Sequence, residues 1–166
     1  MNKGYIIHIM DTKVIKIFYK KTKNRKIKEE YVKLNRKKEG IYKSYYRNGS
    51  IYCECTYTNG KRNGEYKSYF ENGKKWQICT YTNGKKNGPY TMYDKNGDLS
   101  IECNYIYSKK EGVYKNYYNG NLLIQCFYIN NLKNGEYIVY ELNRIIIAYK
   151  IYYINDIKQQ IRPSQI

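Results

Sequence analysis

Cysteine is the first residue type whose spacing here could do chemistry. Cys55, Cys79 and Cys103 recur every 24 residues, Cys126 follows after 23, and Cys53 precedes the first by two. Such a set could gather zinc or build a disulfide framework. Basic pairs come next: Lys37-Lys38, Lys61-Arg62, Lys85-Lys86 and Lys109-Lys110, with Lys133 in the following copy. Pairs at a fixed interval could hold phosphates or carboxylates. The single histidine, His8, stands apart from these columns, so no Ser-His-Asp or Cys-His arrangement can be assembled within them. The Gly-Lys pairs of NGKRNG lack the spacing and the following Ser or Thr of a phosphate loop. Glu54 and Glu102 share a column, but Ile78 separates them and they read as solvated acids. The expectation is a chain without catalytic residues, cofactor or metal.

The same interval governs the rest of the sequence. CTYTNGKRNGEY from Cys55 and CTYTNGKKNGPY from Cys79 agree at ten of twelve letters. Gly40, Gly64, Gly88, Gly112 and Gly135 form a column. Tyrosines form three more: Tyr42, Tyr66, Tyr90, Tyr114 and Tyr137; Tyr45, Tyr69, Tyr93, Tyr117 and Tyr140; and Tyr57, Tyr81, Tyr105 and Tyr128. Internal repeats of this length indicate a stacked array. One domain over 1–166 follows: basic, degenerate units in 1–38, clear repeats in 39–140, and a degenerate capping unit in 141–166.

Each unit reads as a β-hairpin. Nine of the twelve glycines follow Asn, as in Asn48-Gly49, Asn72-Gly73 and Asn83-Gly84. Asn-Gly between half-apolar runs signals a type I′ turn, which needs positive φ at both central residues. The runs between turns are rich in Tyr, Ile and Thr, and no helical periodicity of useful length appears. The fold class is therefore all-β, with negligible helix: about seven stacked hairpins, roughly fourteen antiparallel strands, in one elongated, twisted sheet about 65 Å long. Alternation along WQICTY puts Gln77, Cys79 and Tyr81 on one face, expected to be buried, and Trp76, Ile78 and Thr80 on the other. The 24 tyrosines are then chiefly packing residues. Equivalent cysteines lie two strands apart, about 9.6 Å, which is too far for a disulfide and separates the sulfurs a zinc ion would need together.

GEYKSYFENG at Gly64–Gly73 followed by YTNGKKNG at Tyr81–Gly88 resembles the MORN-repeat variant family. The resemblance implies an open sheet of stacked hairpins and a role as an interaction or membrane-associating module, with antitoxin-like bacterial relatives. Two departures stand out. Ser108 replaces the turn glycine at the position of Gly84, and Gly120 comes one residue early.

Charge says most about partners. The chain has 31 Lys and Arg against 14 Asp and Glu, net +17. Its densest stretch, Lys20–Lys28, contains Lys20, Lys21, Lys23, Arg25 and Lys26. Stacking should line the basic pairs along one edge about 10 Å apart, with Arg47, Lys74 and Lys95 on opposite turns. Tyr52 and Trp76, placed by alternation opposite the cysteines, could stack on bases. Without a nucleic-acid motif, sequence-specific readout is not expected. The sequence points to a non-catalytic scaffold that binds a protein partner, or else to a non-specific binder of nucleic acid or an anionic membrane surface, or to an antitoxin-like protein. No signal peptide or apolar stretch near 18 residues is apparent, which points to the cytoplasm. Abundant Ile, Lys, Asn and Tyr fit an AT-rich genome, bacterial or viral.

Overall fold

The computed structural model describes residues 12–19, 26–142 and 146–159. His8, Lys20, Lys21, Lys23 and Arg25 lie outside them. The described chain forms one antiparallel sheet and contains no helix. In chain order the strands are β1 (Thr12–Phe18), β2 (Ile27–Leu34), β3 (Lys37–Tyr45), β4 (Ile51–Thr58), β5 (Lys61–Tyr69), β6 (Lys75–Thr82) and β7 (Lys85–Tyr93). They continue as β8 (Leu99–Ile106), β9 (Lys109–Lys110), β10 (Gly112–Tyr118), β11 (Asn121–Ile129), β12 (Leu132–Tyr140), β13 (Ile147–Ile154) and β14 (Ile157–Gln159). Each pairs with the next, except that β8 pairs with both β9 and β10, which are one strand interrupted at Glu111.

The two edges use different turns, which corrects the uniform reading of Asn-Gly. Asn59-Gly60 and Asn83-Gly84 have positive φ at both residues, as a type I′ turn requires. Tyr107-Ser108 does too, so the missing glycine leaves the turn type unchanged. At the other edge Asn48-Gly49 and Asn72-Gly73 close three-residue loops in which only glycine has positive φ. There the Gly49 N–H donates to the Tyr46 carbonyl at 3.0 Å, and the Tyr46 N–H to that of Ser50 at 2.8 Å. The early Gly120 shortens this loop to two residues, and Asn119-Gly120 becomes a turn with both φ positive.

The recurrent Gly64 is not in a turn. It lies inside β5, where the register jumps from Cys55–Tyr66 to Tyr57–Arg62. Its φ is +96°, and a Cβ there would meet nothing within 4 Å. Backbone conformation, not space, selects glycine at this bulge.

Successive hairpins are stapled at the type I′ edge. The N–H of Gly60 donates to the Lys38 carbonyl at 2.9 Å, that of Gly84 to Arg62 at 2.8 Å, and that of Ser108 to Lys86 at 2.7 Å. Asn131 and Asp156 repeat the bond to Lys110 and Lys133, each at 2.9 Å. The residue before the bulge glycine adds a second staple: Glu39 accepts the Asn59 N–H at 2.8 Å, and Asn63 that of Asn83 at 3.4 Å. These bonds satisfy turn N–H groups that strand pairing leaves over. They also explain why the motif carries a second Asn-Gly that makes no turn.

The core is a single layer of side chains on the cysteine face. Tyr42, Cys55, Tyr66, Cys79, Tyr90 and Cys103 are register partners in that order across β3 to β8. A small side chain between two phenol rings lets a one-layer core close. Cys79 is only 2% exposed and Tyr66 only 5%. The rings pair edge-on with the third tyrosine column: Tyr42–Tyr57, Tyr66–Tyr81, Tyr90–Tyr105, Tyr114–Tyr128 and Tyr137–Tyr153 have centroids 5.5–5.8 Å apart. Such geometry adds about 0.5–1.5 kcal/mol per pair beyond area burial.

Candidate functional surface

The basic pairs divide on the structure. The turn-flanking member lies opposite Leu34, Thr58, Thr82 and Ile106 on the face away from the cysteines, as Lys37, Lys61, Lys85 and Lys109, all exposed. The second member points to the cysteine face and is half-buried over tyrosine rings. Lys38 Nζ is 4.1 Å from the Tyr42 centroid and 5.2 Å from that of Tyr57. Arg62 sits 5.1 and 5.4 Å from Tyr66 and Tyr81, and Lys86 4.4 and 5.1 Å from Tyr90 and Tyr105. Lys110 and Lys133 repeat the contact over Tyr114–Tyr128 and Tyr137–Tyr153. A cation over an aromatic face contributes about 0.5–1 kcal/mol where exposed and more where desolvated. The expected double ladder is therefore a single exposed one, and the second members belong to the packing. Neighbouring strand residues face opposite ways, so two adjacent lysines that look alike in sequence have different environments.

The remaining basic candidates are scattered. Lys26 is exposed beside β2. On the opposite turns, Arg47 lies over the Tyr19 ring at 5.7 Å, and Lys74 Nζ donates to the Asn96 carbonyl. The Lys95 carbonyl accepts from Asn72 at 3.2 Å.

Tyr52 and Trp76 depart from the expected placement. Pairing steps from Tyr45–Ile51 to Ser44–Cys53, and from Tyr69–Lys75 to Ser68–Gln77, so each aromatic is the extra residue of a bulge. A bulge interrupts alternation, and the period-two count no longer fixes their face. Tyr52 shares a groove with Tyr42 and Ser44 of the cysteine face. Its ring lies 5.2 Å from Tyr46 and 6.4 Å from Trp76, which in turn lies 5.8 Å from Phe70. The two are parts of one aromatic cluster.

Four thiols of the cysteine face are shifted away from nucleophilic use. Burial pushes the Cys55 thiol up to about 11 despite the opposing charge of Arg62, and raises Cys79, Cys103 and Cys126 in the same direction. A reactive cysteine needs the opposite shift. All five cysteines are free thiols, and register places a tyrosine strand between Cys55, Cys79 and Cys103. On the other face the acids serve the second tyrosine column. Tyr69 donates to Glu54 at 2.7 Å and Tyr117 to Glu102 at 2.8 Å, and Tyr45 donates to Glu30. Burial first, and then these bonds, push the Tyr69 and Tyr117 phenols up to about 12. The acids of that column are thus hydrogen-bonded acceptors, not merely solvated.

Sequence reasoning missed an apolar strip. The turn-flanking pairs on the lysine face read Thr58–Lys61 and Thr82–Lys85, then Ile106–Lys109, then Ile129–Leu132 and Ile154–Ile157. The last five apolar side chains are 39–67% exposed. Aligning the turn-flanking columns would have revealed this drift from threonine and lysine to isoleucine.

Residues 38–59, 62–83 and 86–107 match the MORN repeat variant family, so the chain carries three consecutive repeats of that kind. Each match runs from one ring-packed cation to the first residue of the next type I′ turn, crossing a three-residue loop. A search of curated proteins finds no match.

Proposed function

We propose that the chain is a non-catalytic scaffold whose long sheet presents a binding surface to another macromolecule, a protein above all. Repeats of this family are generally non-catalytic modules that often mediate binding. The observation that carries the choice of a protein is the division of the basic pairs. With the second cations held over tyrosines, the exposed ladder has one lysine per hairpin, about 9.6 Å apart, against one phosphate per about 1.7 Å along duplex nucleic acid. Neutralising a partner by direct binding, as an antitoxin would, is one form of this reading. A cytoplasmic setting is part of it and suits five free thiols. Among the described residues no helix is long and apolar enough to cross a membrane.

A second reading rests on the net charge of +17 and the registered Lys37, Lys61, Lys85 and Lys109. Here the ladder binds nucleic acid or an anionic membrane surface without sequence preference. Titration of labelled nucleic acid and anionic vesicles over roughly 50–300 mM salt separates the two. The comparison protein carries Ser at those four lysines and keeps the ring-packed cations, so the fold is not at stake. The scaffold reading expects weak binding that changes little in the variant. Tight binding that collapses with salt and with the variant would put the polyanion first.

A further inference from the structure

We infer that the type I′ edge of the lysine face is a docking strip for a protein segment that is acidic in one half and apolar in the other. This rests on the binding-module reading and deepens it by naming the chemistry of the partner. Along one row of equivalent positions, Lys61, Lys85 and Lys109 are exposed cations, and Ile129, Leu132, Ile154 and Ile157 are exposed hydrocarbons. Ile106 joins the two halves opposite Lys109. At the next positions inward on that face, Val113, Phe127 and Tyr152 widen the apolar half around Glu136, where the central hairpins carry Glu65, Thr80, Pro89 and Asn104. A contiguous apolar patch of this kind on a soluble surface marks an interaction site.

Charge complementarity selects the occupant. A second copy would bring another +17 to a strip that already begins with lysines, whereas an acidic segment neutralises them. A bilayer fits less well. The turn tips beside the hydrocarbons are polar, Asn130-Asn131 and Asn155-Asp156, and Glu65, Glu102 and Glu136 share the face that would lie on anionic headgroups. From Lys61 to Ile157 the row crosses four hairpin intervals, about 40 Å, which an extended segment of about 12 residues spans.

The test is selection of a displayed random peptide library, about 16 residues long to cover that span, on the full chain. Two variants serve as comparison: Ile129→Thr/Leu132→Lys/Ile154→Thr/Ile157→Lys, and Lys61→Ser/Lys85→Ser/Lys109→Ser. The first installs the Thr–Lys pairs that β4–β5 and β6–β7 already carry, so circular dichroism should show an intact sheet. Should it not, Leu132→Lys and Ile154→Thr singly replace it. Enriched peptides should carry Asp and Glu in one half and Leu, Ile or Phe in the other, and bind either multiple variant roughly tenfold more weakly than wild type, the single replacements about threefold. Peptides lacking that order, or bound equally by the variants, overturn the inference and leave the binding-module reading standing. No enrichment, with loss of binding to phosphatidylserine vesicles in the variants, makes a bilayer the occupant and also overturns it. No enrichment and no binding of vesicles overturns the inference alone, since weak binding of polyanions is what the scaffold reading expects.

Discussion

The central hairpins β4–β7 and the C-terminal strands β10–β14 share one face and differ on the other. Both keep the tyrosine pair, the small cysteine and the cation over the rings: Tyr66–Tyr81 with Arg62 in the centre, Tyr114–Tyr128 with Lys110 and Tyr137–Tyr153 with Lys133 beyond. On the lysine face the central positions are Thr and Lys, and the C-terminal ones are Ile, Leu, Val and Phe. A face whose side chains are wedged between those of the neighbouring hairpins has its residue types dictated by stacking. A face that touches only solvent is free to drift or to be shaped by a partner. The seam between the regions is also distinct. β8 and β10 lack the Cys103–Tyr114 pair that Cys79–Tyr90 makes one unit earlier.

The largest effect should come from what the regions share. Buried Cys55 stays protonated to about 11, and Tyr90 and Tyr105 to about 12, against ordinary values of 9.0 and 10.0. Between those limits the unfolded chain has lost protons that the folded chain retains, so the slope of stability with pH is negative. The stabilisation is whole below pH 9 and is lost as pH climbs through 11 and 12. Urea midpoints under reducing conditions should fall steadily above pH 9, in both regions, and a flat profile to pH 11 would contradict the single-layer tyrosine core.

Overpacking should separate regular stacking from the seam. Cys79→Leu, with Tyr66 and Tyr90 on either side, should cost about 2–3 kcal/mol. Cys103→Leu, half-buried and missing its Tyr114 partner, should cost under about 1 kcal/mol in the same denaturation assay. Equal costs would mean that the seam is as tightly packed as the rest.

Repairing the irregular turn should make the regions more alike. Tyr107 and Ser108 hold φ of 47° and 70°, where non-glycine residues cost roughly 1–3 kcal/mol each. Tyr107→Asn/Ser108→Gly should raise stability by about 1–2 kcal/mol and slow hydrogen exchange of the Glu102 and Lys115 amides at the seam.

The smallest effect tests the division of the basic pairs. Lys86→Gln removes the cation over Tyr90 and Tyr105 and should cost about 1 kcal/mol. Exposed Lys85→Gln should stay within about 0.5 kcal/mol of wild type. Equal values would show that the rings do not hold the cation.

Much of this was legible from spacing. The glycine, tyrosine and cysteine columns establish a stack of hairpins, and alternation correctly joins Cys79 with Tyr81 on the packed face. The fate of Lys38 was readable in principle, because it stands one position past the turn, across from Lys33 and on the side of Tyr42. The bulges were not legible. Tyr52 and Trp76 obey a period of two on paper, and nothing in their letters announces the extra residue that breaks it. Nor did the second Asn-Gly reveal that Asn63 caps a neighbouring turn.

The sequence by itself determined the repeat, the strands and the tyrosines and cysteines of the packed layer, because a 24-residue period gives every hairpin the same side chains at the same positions and so sets the same tyrosine against the same cysteine at each step. Tertiary structure alone decided which cations stay exposed, where alternation is interrupted and that the C-terminal hydrocarbons form one strip. Those outcomes depend on contacts between residues about 20 positions apart, such as the Gly84 bond to Arg62 and the Lys86 contact with Tyr105. Local sequence carries the strength of such contacts but not their geometry.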